Sequence, residues 1–167
     1  CDNQLSPYAV SKASGELLCR YFSKKLPIVV FRPFTVYGEG GRLEMVVGKI
    51  LDSVENKTKF QQFGNTQRTY TNVHDLVDGI ERLISYDPPN NYDVFNLAGN
   101  EITSLDELVD IVKSQCPSLE IEKLPNNELD VQSNIADISK ANKLLGYLPT
   151  HKIKDELTKL CQNSLSK

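Results

Sequence analysis

The sequence predicts an α/β fold with parallel strands, on three observations. A run of four apolar residues at 28–31 is typical of a strand that is buried on both faces, and the V-F-N-L segment at 94–97 is a second candidate for such a strand. Longer segments between them show the spacing of amphipathic helices. Strands and helices alternate along the 167 residues, and this alternation favours parallel pairing.

The first element is a helix that begins at Ser6-Pro7, because Ser is a favoured N-cap and Pro a favoured first helical residue. We expect this helix to run to about Lys25 and to end before Pro27. The strand at 28–31 follows, and a glycine-containing loop comes after it.

The remaining elements follow from the same patterns. Apolar spacing predicts helices over residues 45–54 and 74–86, and Ser104 with Glu107 forms a capping box that opens another helix. Two strands are predicted at 59–63 and 67–73, around a turn at Gly64-Asn65. The C-terminal part is predicted to hold a strand at 119–123 and two helices that begin near Asp137 and Lys152.

Composition and charge narrow the classes of function. The formal net charge is −3, so no nucleic-acid partner is expected, because a surface that binds nucleic acid needs clustered Lys and Arg. No apolar run approaches the roughly 20 residues of a membrane span, and no signal peptide opens the chain. The 4 cysteines show no C-x-x-C spacing, and there are only 2 histidines. We therefore expect a cytoplasmic protein without a membrane segment, a metal site or a disulfide framework.

Tyr8 and Lys12 are the strongest candidates for a catalytic pair. They lie four residues apart, so a helix places both side chains on one face. A nearby ammonium and the positive end of the helix dipole both favour the phenolate form of a tyrosine. Such a tyrosine can remove a hydroxyl proton while a nicotinamide accepts hydride from the same carbon.

The same spacing recurs at Tyr21 and Lys25, so the spacing by itself is weak evidence. Context separates the two pairs. Tyr8 follows a helix start and is surrounded by small residues that would let a flat ring approach. Tyr21 stands beside Phe22, where packing or a dimer contact is the better interpretation. We therefore assign catalysis to Tyr8 and Lys12.

Five motifs in order carry a family resemblance: S-P-Y-A-V-S-K at 6–12, R-P-F-T-V-Y-G at 32–38, Q-R-T-Y-T-N-V-H-D at 67–75, N-L-A-G at 96–99 and A-D-I-S-K-A-N-K-L-L-G-Y at 136–147. Together they resemble the extended short-chain dehydrogenase/reductase family of nucleotide-sugar epimerases and dehydratases. The resemblance implies NAD as cofactor and a UDP-sugar as substrate. It also implies that the chain is the C-terminal part of an NAD(P)-binding Rossmann-like fold plus a small α/β substrate-binding lobe.

The resemblance further implies a division of the chain. Residues 1–37 and 72–98 would be the remnant of the dinucleotide-binding domain with the catalytic helix, and residues 38–71 and 99–167 the nucleotide-sugar-binding lobe. The family often dimerises through the helix that carries the tyrosine. An apolar stripe on that helix would serve this dimer, although core packing within the monomer explains the same residues: Leu17, Leu18, Tyr21 and Phe22.

Site residues follow from the matched motifs. Besides Tyr8 and Lys12, the resemblance places Arg32 and Pro33 at the cofactor. The segment F-T-V-Y-G-E-G-G-R-L-E-M at 34–45 looks most like the UDP-glucuronate 4-epimerases, in which the residues matching Thr35 and Arg42 are associated with the sugar carboxylate. A guanidinium fork and a hydroxyl donor suit a carboxylate. The alternative is that Thr35 caps a turn and Arg42 lies on the surface.

Further matched residues concern the nucleotide. Arg68 matches the arginine that contacts the diphosphate, and Gln132 is a candidate for a second contact. The alternative for Arg68 is an exposed arginine on a strand. Asp75 matches a family acid, but a carboxylate in a first helical turn is also favoured by the helix dipole. Both histidines, His74 and His151, are expected to have ordinary structural roles.

The chain departs from the family pattern in two places. Leu129 stands before Asp130 where the family usually has Gly, and no G-x-x-G-x-x-G fingerprint is present. We therefore expect the chain to be a fragment that does not hold NAD tightly alone, since the helix N-terminus that binds pyrophosphate is missing.

For the intact protein, the sequence favours NAD-dependent epimerisation at C4 of a UDP-sugar, with UDP-glucuronate as the first candidate and a 4-keto sugar as intermediate. The alternatives within the family are a UDP-glucose 4-epimerase and a nucleotide-sugar 4,6-dehydratase. A non-catalytic nucleotide-sugar-binding fragment is the alternative of another class.

Overall fold

The computed structural model describes residues 6–126 and 131–165. Among them the helices are α1 (Pro7–Phe22), α2 (Val46–Glu55), α3 (Val73–Ile84), α4 (Leu105–Gln115), α5 (Ser139–Leu145) and α6 (Ile153–Leu165). The strands are β1 (Ile28–Pro33), β2 (Val36–Tyr37), β3 (Phe60–Phe63), β4 (Gln67–Thr69), β5 (Thr71–Asn72), β6 (Tyr92–Leu97), β7 (Ile102–Ser104), β8 (Ile121–Leu124) and β9 (Ser133–Asn134). None of the described helices is both long and apolar enough to cross a membrane.

Helix α1 begins as the sequence predicts and ends earlier. The Ser6 side chain accepts a hydrogen bond from the Ala9 N–H at 3.2 Å, which satisfies one free donor of the first turn. The helix stops at Phe22 because Ser23 closes its last turn, where the Ser23 N–H donates to the Cys19 carbonyl at 2.9 Å. The chain then turns before the strand, so the predicted end at Lys25 is wrong by about one helical turn.

Parallel pairing dominates the sheets, which confirms the predicted α/β class. Strands β1 and β6 pair in parallel, with Val30 opposite Val94, and so do β2 with β5 and β3 with β8. Strand β4 lies between β7, which is antiparallel to it, and β9, which is parallel. The carboxyl ends of β1 and β6 therefore lie at the same edge of their sheet.

The two strands around Gly64-Asn65 exist, but they pair with distant segments and not with each other. The Gly64 N–H donates to the Leu124 carbonyl at 3.1 Å and so continues the β3–β8 pairing. The Asn65 side chain accepts a hydrogen bond from the Asp106 N–H in the first turn of α4, at 3.0 Å. Gly64 and Asn65 are thus hydrogen-bonded to β8 and α4, and β3 and β4 do not form a hairpin.

The larger hydrophobic core joins α2, α4 and α6 with the short strands beside them. Its centre is fully buried and contains Ile50, Leu108, Val112 and Leu157. The predicted capping box is confirmed: the Glu107 N–H donates to Ser104 Oγ at 3.2 Å, and the Ser104 N–H donates to the Glu107 carboxylate at 2.7 Å.

A smaller core lies around β6, with Phe95 and Leu97 at its centre and Tyr147 packed against them. The Tyr147 hydroxyl donates to the Ala98 carbonyl at 2.9 Å. Residues 138–147, which the sequence assigns to the substrate-binding lobe, pack here against α3 and β6. The proposed division of the chain into two parts stays a prediction.

Strand β1 is less buried than its sequence predicts. Among the described residues it pairs with β6 alone, Val29 and Val30 are half-buried, and Phe31 is 38% exposed. The expectation that this strand is buried on both faces is therefore wrong for the described part of the chain, because one edge and part of one face have no neighbour there.

Candidate functional site

Tyr8 and Lys12 lie together on an open face of α1. The Tyr8 side chain is 71% exposed, and Lys12 Nζ lies 5.3 Å from the centre of its ring. Ser11 Oγ donates to the Tyr8 carbonyl at 2.7 Å, so this hydroxyl is used within the helix. Spacing along one helix has therefore produced the predicted pairing of a phenol and an ammonium that are both accessible to a ligand.

The apolar stripe of α1 is also open. The side chains of Leu17, Leu18, Tyr21 and Phe22 are 67%, 60%, 59% and 45% exposed, and α1 contains no buried residue. Within the described residues this stripe is therefore not buried in a core, and the choice between a dimer contact and core packing in the intact monomer stays a prediction.

Arg32 and Pro33 end β1 on an exposed edge. The Arg32 guanidinium forms a two-pronged ion pair with Glu16 of α1, with Nε and Nη2 at 2.7 and 2.5 Å from the carboxylate oxygens. This hydrogen bonding to Arg32 lowers the pKa of the Glu16 carboxyl below its ordinary value. In this structure Arg32 therefore joins α1 to β1.

Thr35 and Arg68 line one cavity of about 310 Å³ at the carboxyl end of β1. Its size lies at the lower end of the range of small-molecule sites. Hydrogen bonds from the Thr71 N–H to the Thr35 carbonyl at 2.9 Å and from Thr71 Oγ1 to the Phe34 carbonyl at 2.6 Å fix this wall. The cavity is otherwise lined by residues of α2, β3 and their neighbours: Glu44, Met45, Val46, Lys49, Phe60, Gln61, Phe63, Thr66, Tyr70 and Leu105.

Arg68 is half-buried at the junction of β4 and β9. Its Nη1 donates to the Val131 carbonyl at 2.5 Å, which orients the guanidinium. Gln132 is the neighbouring position, and its carbonyl accepts from the Gln67 N–H at 2.9 Å. The Gln132 side chain is exposed and accepts a hydrogen bond from Asn126 at 3.2 Å. The backbone hydrogen bond between Gln67 and Gln132 thus brings Arg68 and Gln132 close together in space. Gln132 nevertheless does not line the cavity that Arg68 lines.

Arg42 lies apart from Thr35. It is exposed, its Nη2 lies 3.6 Å from Met45 Sδ, and it lines a neighbouring cavity of about 280 Å³. Met45 lines both cavities, so the two adjoin there. The structure therefore does not bring Thr35 and Arg42 together, and their joint contact with a carboxylate stays a prediction.

Asp75 has a role that the sequence reveals only in part. It lies in the first turn of α3, as expected of a helix-starting carboxylate, but it is only 5% exposed. It accepts hydrogen bonds from the Thr150 N–H at 3.1 Å and the His151 N–H at 3.2 Å, and its Oδ1 lies 2.7 Å from His151 Nδ1. The predicted structural role of His151 agrees with this contact. A local sequence pattern could not have predicted this contact, because Asp75 and His151 are far apart in the chain.

Two tyrosines near the cavities, Tyr37 and Tyr70, are buried. Burial raises the pKa of Tyr70, which lines the cavity, to about 12, and burial raises the pKa of Tyr37 well above its ordinary value. Both phenols therefore stay protonated at neutral pH. Among the described residues, no group of three or more His, Cys, Asp or Glu side chains is placed to hold a metal ion.

The site residues that sequence reasoning missed are Glu44 and Lys49 of the cavity wall. Apolar spacing placed both near the predicted second helix, but nothing in the pattern shows which side of that helix meets a cavity. The spacing of Lys49, four residues after Met45, is the one signal that could have suggested a shared face.

Comparison with known proteins identifies the family. The family model described as the NAD dependent epimerase/dehydratase family matches residues 1–98. The UDP-glucuronate 4-epimerase of Thermodesulfobacterium geofontis is 33% identical over 162 residues, which cover 93% of this chain and 49% of that protein. The uncharacterized UDP-glucose epimerase YtcB of Bacillus subtilis is 33% identical over 159 residues, 92% of this chain and 50% of that protein.

A solved structure gives the same picture. The crystal structure of UDP-glucuronic acid 4-epimerase from Bacillus cereus, in complex with UDP-glucuronic acid and NAD, is 30% identical with a TM-score of 0.87, over 97% of this chain and 53% of that chain. The protein therefore belongs to the NAD-dependent epimerase/dehydratase family, with its Rossmann-type α/β fold. The chain spans about half the length of the curated relatives it matches.

NAD is the cofactor of this family, as the resemblance implied. The donor set on α1 fits one end of that cofactor, because an accessible phenol and ammonium share a face. Tyr8 and Lys12 are the described residues that would hold its ribose. The glycine fingerprint that would hold the pyrophosphate is absent from the sequence.

Proposed function

We propose that this chain forms the catalytic helix and the nucleotide-sugar site of an NAD-dependent enzyme that epimerises a UDP-sugar at C4. UDP-glucuronate is the proposed substrate. The observation that carries the proposal is the pairing of Tyr8 with Lys12 on the open face of α1. The family and the NAD complexes among its relatives support it.

Tyr8 is the proposed acid and base. Its phenolate takes the proton of the sugar 4-hydroxyl, and the Lys12 ammonium stabilises that phenolate and donates a hydrogen bond to the cofactor's ribose. When bound, NAD supplies a hydride acceptor and later a hydride donor for C4. After the 4-keto sugar has rotated in the site, Tyr8 returns its proton to the C4 oxygen. The reaction therefore causes no net oxidation.

The charged residues hold the rest of the substrate in this proposal. Arg68 and Gln132 contact the diphosphate, and Thr35 and Arg42 contact the sugar carboxylate. Because Arg42 lines the cavity next to that of Thr35, it must reach past Met45 when substrate binds.

The test is product analysis with the full-length protein that contains this chain, supplied with NAD and with either UDP-glucuronate or UDP-glucose. We expect UDP-galacturonate from the first substrate and little turnover of the second. Turnover of UDP-glucose alone would remove the carboxylate role of Arg42. A 4-keto-6-deoxy product would identify a dehydratase, and binding without any product would support the non-catalytic alternative.

We also propose that the apolar stripe of α1, which comprises Leu17, Leu18, Tyr21 and Phe22, forms the interface of a homodimer. All four side chains are exposed, and such a cluster on one helix is typical of an interaction surface. Analytical ultracentrifugation of the full-length protein should show a dimer, and Leu17→Glu should convert it to a monomer. A monomer at micromolar concentration in the unchanged protein would exclude this interface.

A further inference from the structure

We infer that Lys49 is a second cation for the substrate's diphosphate, beside Arg68, and that Glu44 weakens this binding by like-charge repulsion. The inference rests on the proposed function. The cavity that Thr35 and Arg68 line is the starting point, because the charged residues of its wall are Glu44, Lys49 and Arg68.

The fold holds Lys49 on the cavity side of α2. The opposite face of α2 is buried in the larger core through Val47, Ile50 and Val54. Lys49 follows Val46 by three positions and Met45 by four, and all three line the cavity. The Lys49 N–H donates to the Met45 carbonyl at 2.8 Å, so this turn is a regular part of the helix. Rotation of α2 that moved Lys49 away would expose its core face.

The charge of Lys49 is available to an anion. Several described lysines pair with carboxylates, such as Lys59 with Glu120 at 3.0 Å and Lys123 with Asp106 at 3.2 Å. Lys49 forms no such ion pair with any residue in the part of the chain that the structure describes. An ammonium on a flexible stem can reach a phosphate as a point charge, whereas Arg68 offers a planar fork.

The start of α2 adds a favourable field. Its first residues lie at the cavity, its N-cap Met45 contributes no side-chain cap, and its first turn contains no acidic residue. The positive end of the helix dipole is therefore not neutralised within the helix, and it favours an anion beside Lys49.

Glu44 is the opposing charge. It lines the same cavity two residues before the first residue of α2, and within the described residues it forms no ion pair. A carboxylate near a bound diphosphate repels it. Lys49 and Glu44 should therefore change the affinity for phosphate groups in opposite directions, while the affinity for an uncharged nucleoside stays the same.

The experiment is calorimetric titration of the full-length protein with UDP, UMP and uridine. For Lys49→Met we expect UDP affinity to fall about 10-fold, which is the scale of one charge-assisted contact, with uridine affinity unchanged. For Glu44→Gln we expect UDP affinity to rise about 3-fold. Lys113→Met removes one charge from an exposed position in the last turn of α4, away from the cavity, and should change none of the three affinities.

The outcomes separate the two levels of inference. Failure of the unchanged protein to bind UDP would overturn the proposed function. Normal UDP binding by both the unchanged protein and Lys49→Met would overturn the role of Lys49 alone. An equal loss of UDP and uridine affinity in Lys49→Met would show a structural effect, and it would also overturn the role.

Discussion

Helix α1 carries the candidate catalytic residues on an exposed surface, whereas helix α4 is packed in the larger core. Helix α1 has 16 residues and buries none of them, although it carries the candidate catalytic pair. Helix α4 has 11 residues and buries Leu105, Leu108, Val109 and Val112 in the larger core. Within this chain, the candidate catalytic pair therefore lies where few contacts depend on it, and helix α4, which is packed in the larger core, contributes Leu105 to the cavity that Thr35 and Arg68 line.

The few contacts of α1 support this contrast. The helix is held on β1 by the ion pair of Glu16 with Arg32, and Arg20 lies 5.9 Å from the ring centre of Tyr92. Exposed contacts of this kind contribute little stability each. Substitutions on α1 should therefore change activity without changing folding, and substitutions in the core should do the reverse.

The sharpest test is Tyr8→Phe in the full-length enzyme. Loss of the phenol removes the proposed acid and base, so kcat should fall about 10²- to 10⁴-fold. The melting temperature of the 167-residue chain should stay the same, because the Tyr8 side chain is 71% exposed in it. Tyr21→Phe is the matched control: Tyr21 has the same spacing to a lysine, the substitution keeps the aromatic ring of the proposed dimer interface, and the variant should keep full activity. Equal losses in the two variants would contradict the assignment of Tyr8.

The largest effect on stability is expected from Leu108→Ala. Leu108 is 0% exposed, and truncation of such a side chain costs about 2–5 kcal/mol of the free energy of unfolding. Leu17→Ala on α1, where the side chain is 67% exposed, should cost less than about 0.5 kcal/mol. Urea unfolding of the 167-residue chain measures both. A comparable cost for Leu17→Ala would show that α1 is packed.

A smaller loss of stability is expected from Asp75→Asn. The amide keeps the shape but removes the charge that accepts hydrogen bonds from the Thr150 and His151 N–H groups, and the loss should be about 1–3 kcal/mol. Asp78→Asn breaks only the exposed pair with Arg82 and should cost much less. If the two costs were equal, the Asp75 contacts would not anchor the start of α6.

The smallest effect concerns pH and the attachment of α1. The hydrogen bond from Arg32 lowers the pKa of Glu16, so this carboxyl stabilises the folded state above its unfolded pKa, and that contribution is lost as the pH falls through the folded pKa. Hydrogen exchange of α1 amides should therefore show the helix loosening below about pH 4.5, the ordinary range of a glutamate. Glu16→Gln should remove this pH dependence. The same acid loosening in the variant would assign it to another group.

Local rules predicted the elements well and their partners poorly. The cap at Ser6 and the capping box of Ser104 with Glu107 involve residues three positions apart, so the sequence contains both partners. The strands around Gly64 were also found, but their pairing with β7, β8 and β9 depends on segments far along the chain. Such contacts are decided by packing, which a local pattern does not contain.

The candidate site divides in the same way. Tyr8 and Lys12 could be predicted because one helix turn brings them together. Thr35 and Arg68 share a cavity through the pairing of β5 with β2 and of β4 with β9, whereas the family resemblance implied only that both contact the substrate. Lys49 lines the cavity because the opposite face of α2 packs on the core, and the spacing of residues in the sequence does not predict that packing.

The parallel registers also set the order in which the chain can fold. Ile28 pairs with Tyr92 and Phe60 with Ile121, so each of these ladders joins strands that are separated by long intervening segments. Contacts of such high sequence separation form slowly, because the entropy of closing each loop is lost before the contact forms. During synthesis, β1 must therefore leave the ribosome long before β6 exists. Until β6 exists, the edge of β1 that pairs with it stays open, and an open strand edge is a site of misassembly in a newborn chain.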